Sequence, residues 1–117
     1  MVRFIKQRKK ITFGESQIQC ALIQWARWNI GKFPELALLY AIPNGVRCGG
    51  FRAMKLKQEG LLAGMPDLCL PVSRHKKNSL YLETKTLTGT LSKFQKQIIT
   101  KLIAENNEVF IYRSLDE

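Results

Sequence analysis

A chain of 117 residues, 45% hydrophobic and 24% charged, has the makeup of one soluble globular domain and is too short for two sizeable cores. Its 19 Lys and Arg against 9 Asp and Glu give a formal charge of +10, which points to a polyanionic partner, nucleic acid first and an anionic membrane surface second. Short apolar runs exclude a membrane span, and three cysteines at unrelated spacings (Cys20, Cys48 and Cys69) argue against disulfides or a zinc site and for a reducing cytoplasm.

In chain order, residues 1–11 form a basic lead-in without the apolar region or cleavage site of a signal peptide. Thr12 then opens "TFGESQIQCALIQWARW", where Thr12 and Glu15 have capping-box spacing and Ile18, Leu22, Trp25 and Trp28 recur at helical intervals. "ELALLYAIPNG" suggests a short strand over 37–42, stopped by Pro43 and the Asn44-Gly45 turn. "GGFRAMKLKQEG" predicts a short helix between glycines, ending at Gly60. "DLCLPV" and "SLYLETK" are expected strands joined by the polar loop "SRHKKNS". "LSKFQKQIITKLIAENN" predicts a long helix with a second capping box, Ser92 and Gln95, and "EVFIYRS" a closing strand. Strands and helices then share one core, so the expected class is α/β, a central mixed β-sheet flanked by helices.

The hairpin carries the chemistry. Along "LYLETK" side chains alternate, so Leu80, Leu82 and Thr84 share a core face while Tyr81, Glu83 and Lys85 share the other. A loop symmetric about Lys76 sets Asp67 opposite Lys85 and Cys69 opposite Glu83, which gathers Asp67, Glu83 and Lys85 at one hairpin end. Cross-strand neighbours on one face lie roughly 5–7 Å apart, and two carboxylates at that distance repel. A hard divalent cation, Mg²⁺ or Mn²⁺, removes the conflict and can polarise a phosphoryl oxygen and activate water, with a lysine beside it to manage the proton. A plain cross-strand ion pair, at about 0.2–1 kcal/mol, accounts for one carboxylate but gives no reason for the second.

The blocks "GMPDL", "LYLETK" and "GTLSKFQ", with "ESQIQ" and "AIPNG" upstream, resemble the PD-(D/E)xK nuclease signature in its virus-type replication-repair branch, the VRR-NUC domain. The likeness runs from about Thr12 to Arg113, which implies that residues 1–117 are that domain standing alone, with a restriction-endonuclease-like core. It also implies an Mg²⁺- or Mn²⁺-dependent, structure-specific DNA endonuclease that acts as a homodimer on branched DNA such as Holliday junctions. A flap or fork nuclease of the same family is the nearest alternative, and a catalytically inactive nucleic-acid-binding module is the rival class. By the same resemblance Asp67 and Glu83 are metal ligands, joined by the main-chain carbonyl of Thr84, and Lys85 handles the attacking water. Glu15 matches the acidic residue of the family's first helix and Gln95 the glutamine that follows the E-x-K strand, although each is also the third residue of a capping box. Leu22 lies seven residues after Glu15, so Glu15 is expected along the buried stripe of its helix, where a carboxylate needs a partner. Thr84 departs from the aliphatic residue usual at its position, and a small packing change is the expected consequence.

Other residues have plainer roles. Arg47, Arg52, Lys55 and Lys57, on or beside the glycine-bracketed helix, and Lys93 and Lys96, opening the long helix, are candidate DNA-phosphate contacts that would position substrate without reading sequence. The lone His75 sits in a basic loop and reads as solvated, Cys69 as a small buried residue, and Trp25 and Trp28 as core or interface.

Overall fold

A computed structural model of the chain describes residues 14–43 and 50–113. Its elements, in chain order, are α1 (Glu15–Trp28), a 3-10 turn (Pro34–Leu38), β1 (Tyr40–Ala41), α2 (Gly50–Gln58), β2 (Leu68–Leu70), β3 (Leu80–Thr84), α3 (Lys93–Ala104) and β4 (Glu108–Tyr112). The strands form one sheet in the order β1-β2-β3-β4. Strands β1, β2 and β3 pair antiparallel, whereas β3 and β4 pair parallel, which requires the crossover that α3 supplies. The result is the mixed sheet flanked by helices that the alternation of patterns predicts.

The core lies where α1 meets the sheet. Ile18, Leu22 and Ala26 are buried and cluster with Leu39, Leu68 and Tyr112, while Leu36, Leu70 and Leu82 pack against them. These three helix positions follow one another at intervals of four, which keeps them on one face. The expected stripe through Trp25 and Trp28 is corrected here: Ala26 takes the buried position, and Trp28 is 76% exposed. A small residue at this point lets the helix approach the sheet closely, and Trp25 moves to the rim of an apolar groove with Phe33, Leu36, Leu70 and Val72.

Two further expectations shift. The strand over 37–42 shrinks to Tyr40–Ala41, because Pro34 starts a 3-10 turn that runs through Leu38. Proline's fixed φ favours the first turn of a helix, and that preference wins over the apolar run. The first helix starts at Glu15 rather than at a Thr12 cap, and Thr12 lies outside the described residues. Gly14 is the N-cap, and its N–H donates to Gln17 Oε1 at 3.0 Å. Gln17 therefore performs the reach-back that the capping-box spacing assigns to Glu15.

The hairpin register is also corrected. Leu68 pairs with Leu82, Cys69 with Tyr81 and Leu70 with Leu80, a shift of two residues from a hairpin symmetric about Lys76. His75 and Lys76 form the turn with φ of 51° and 65°, between the bridged residues Arg74 and Lys77. The arm leading into that bridge, residues 71–73, is one residue longer than the arm leaving it, residues 78–79. Pro71 lies in the longer arm and cannot donate to a ladder, and Val72 N–H turns back to the Leu70 carbonyl at 2.8 Å. Because the shift is even, every side chain keeps its expected face.

Candidate active site

Continued one step beyond β2, the observed register places Asp67 opposite Glu83 rather than opposite Lys85. The two carboxylates are thus direct cross-strand neighbours, a closer conflict than the sequence spacing suggested. Ligand oxygens of Glu15, Asp67 and Glu83 all lie within 4.8 Å of one another. Three elements deliver them: the first turn of α1, the residue before β2, and the fourth residue of β3.

Each carboxylate is held differently. Glu83 is 1% exposed and its Oε2 has no hydrogen-bond partner. Burial pushes its carboxyl up to about 8, the neighbouring Asp67 and Glu15 push the same way, and the Lys85 ammonium pulls it down. Asp67 Oδ2 accepts two hydrogen bonds from one residue, from Thr84 N–H at 2.9 Å and from Thr84 Oγ1 at 2.7 Å. Lys85 N–H points to β4 and donates to the Tyr112 carbonyl, so the Thr84 N–H points to the side where β2 has ended. There the Asp67 carboxylate takes the place of a strand carbonyl. Thr84 is therefore more than the expected packing change, since its hydroxyl touches a carboxylate of the cluster. Glu15 is exposed rather than buried in the stripe, because it is the first residue of its helix and stands at the cluster's open side.

The donor set fits a hard divalent cation. Three carboxylates this close cannot all stay ionised without a counter-charge, and Glu83 Oε2 is a buried oxygen lacking a donor. Lys85, 7% exposed, supplies one positive charge to three acids. A Cβ on Gly89 would come within 3.5 Å of Lys85 Cδ, so the glycine lets the loop pass close to the lysine stem. Arg113 ties down that loop through Nη1, donating to the carbonyls of Thr86 and Gly89.

The Gln95 side chain caps its own helix. Its Oε1 accepts from Ser92 N–H at 2.8 Å while its own N–H donates to Ser92 Oγ at 3.2 Å, a reciprocal cap that starts α3. The start of α3 abuts the Pro-Asp segment: Gly64 has φ +90°, and a Cβ there would lie 2.7 Å from the Phe94 carbonyl carbon and oxygen. Lys93 and Lys96 are exposed on this first turn of α3, and Arg52, Lys55 and Lys57 are exposed on α2. Among the described residues none of these five is paired with a carboxylate, and Arg47 lies outside the described residues. Cys69 is buried between its cross-strand partners Tyr40 and Tyr81, and His75 is exposed at the hairpin tip. The apolar groove rimmed by Trp25 shares no residue with the carboxylate cluster.

Sequence spacing missed three supports: the Thr84 hydroxyl, the close approach at Gly64, and the Arg113 clamp. Only Gly64 carried a signal, as a glycine directly before the Met-Pro-Asp run.

A family model described as the VRR-NUC domain matches residues 6–116. A solved structure titled "VRR_NUC domain protein" superposes with a TM-score of 0.75 at 24% identity, covering 91% of this chain and 82% of that one. No curated protein sequence matches. No described helix is long and apolar enough to cross a membrane.

Proposed function

Because the chain belongs to the VRR-NUC family, a family of nucleases, we propose that it is a divalent-metal-dependent endonuclease cutting phosphodiester bonds in branched DNA, four-way junctions first and flaps or forks next. One observation carries this reading: Glu15, Asp67 and Glu83 converge around a buried, partnerless oxygen, with the Lys85 ammonium close enough to act on Glu83. Mg²⁺ or Mn²⁺, when bound, supplies Lewis acidity toward a phosphoryl oxygen and makes water acidic enough to attack at neutral pH. Asp67, Glu83, Glu15 and the Thr84 main-chain carbonyl hold the ion. Lys85, as an ammonium, orients the attacking water and steadies the negative charge that builds on the phosphoryl oxygens as the bond forms. Gln95 acts on the site through the helix start it caps, where the Pro-Asp segment rests.

Arg52, Lys55 and Lys57 on α2, with Lys93 and Lys96 on α3, are the phosphate contacts of this scheme, and the formal charge of +10 favours the encounter with a polyanion. Symmetric cutting of a junction needs two sites, which a two-fold homodimer supplies.

The test is a cleavage panel of single-stranded, duplex, flap, fork and four-way substrates with Mg²⁺ and Mn²⁺. Wild type cuts a branched form, whereas Lys85→Ala does not and still binds that form in Ca²⁺. Failure of the wild type to cut any substrate with either metal overturns the reading and leaves a binding module.

A further inference from the structure

The Thr84 hydroxyl does something no backbone group at its position can do. Any residue there but proline would present an N–H to Asp67 Oδ2, as Thr84 does at 2.9 Å. The hydroxyl adds a second donor to the same oxygen at 2.7 Å, from a residue that is 1% exposed and held at the end of β3 by its pairing with β4. Two donors on one oxygen stop the carboxylate from turning about its Cβ–Cγ bond. They also leave Oδ1 as the Asp67 oxygen not engaged by Thr84.

From this geometry we infer that Thr84 is a positioning residue that presents Asp67 to the cation through one fixed oxygen, biasing the site toward small octahedral ions and against Ca²⁺. The inference rests on the metal-dependent reading of the site given above. Mg²⁺ and Mn²⁺ gain most from a single oxygen in a set direction, whereas Ca²⁺ tolerates irregular shells and often takes both oxygens of one carboxylate. A carboxylate free to rotate can offer both oxygens, and one pinned by two donors on Oδ2 cannot. The donors also satisfy that oxygen, so no buried lone pair is lost when the other oxygen engages an ion.

The experiment is calorimetric titration of the whole chain with MnCl₂ and with CaCl₂, for wild type, Thr84→Val and Thr84→Ser. Valine keeps the branched shape and the N–H, and serine restores the hydroxyl alone. Thr84→Val is expected to weaken Mn²⁺ binding about 10-fold, the lower end for loss of a group that orients a ligand, with Ca²⁺ binding changed by less than about 3-fold. Thr84→Ser is expected to stay within about 3-fold of wild type for both ions. A destabilised fold weakens both ions together, so the Mn²⁺ to Ca²⁺ ratio separates positioning from damage. The inference fails if Thr84→Val keeps the wild-type ratio, or if serine restores nothing. If wild type itself takes up neither ion, the metal-dependent reading fails first and this inference falls with it.

Discussion

Replacing Glu83 with glutamine removes a carboxyl that the fold holds protonated far above its ordinary range. The group is buried beside Asp67 and Glu15, and in the metal-free protein it titrates near 8 against 4.5 when free. Below about pH 4.5 the carboxyl is protonated in both folded and unfolded chains, so its full contribution to stability is present. Between 4.5 and 8 the unfolded chain gives up the proton while the folded chain keeps it, and stability falls as pH rises. Above 8 both forms are ionised and the loss is complete. At about 1.36 kcal/mol per pH unit, the interval sets a ceiling near 5 kcal/mol. Glu15 is exposed, so solvent screens the charges on that side, and halving the ceiling leaves about 2.5 kcal/mol. For a chain of this length that corresponds to roughly 10 °C in Tm. Glutamine is neutral at every pH, so the assay is the difference in Tm between Glu83→Gln and wild type, measured in chelator from pH 5 to 8.5. The difference should move in favour of the variant as pH rises, and Mn²⁺ at pH 8 should raise the wild-type Tm far more than the variant's. A difference curve that stays flat would refute the account of Glu83 as a carboxyl desolvated among other acids.

Gly64→Ala places a methyl 2.7 Å from the Phe94 carbonyl in a left-handed backbone, and urea unfolding should show a loss of about 2 kcal/mol or more. Ser92→Ala removes the Oγ acceptor of one bond of the reciprocal cap and Gln95→Ala the Oε1 acceptor of the other, so each should cost about 1 kcal/mol. In the double variant the two losses should come close to additive, because each change removes one bond and leaves the donor and acceptor of the other in place.

Much of this molecule can be read from its residues. The periods of "LYLETK" and "EVFIYRS" match β3 and its parallel partner β4, and Ser92 and Gln95 mark the start of α3. The faces of Asp67 and Glu83 survived a wrong register because strand periodicity forgives an even shift. The register itself was hidden in a loop whose two arms differ by one residue, a matter of Pro71 and the Val72 turn, which no count about a midpoint detects. Trp25 and Trp28 misled because hydrophobic spacing says which side of a helix is apolar but not how closely that side packs. Ala26, a weak apolar signal, fits the closest contact. Glu15 was expected in the buried stripe when it is the exposed first residue of its helix. Thr84 and Arg113 were invisible as supports because their partners lie 17 and 24 to 27 residues away.

The parallel pairing of β3 with β4 also sets a timetable. By position 85 a growing chain has every carboxylate of the cluster and the lysine beside it. Lys85, however, is anchored by the carbonyl of Tyr112, and the loop after it is tied by Arg113. A nascent chain halted before Glu108 therefore carries the three carboxylates and Lys85 without the strand that aligns them. At about 5–20 residues per second the interval between the two is only seconds, and for that long the cluster is complete in sequence but not in register.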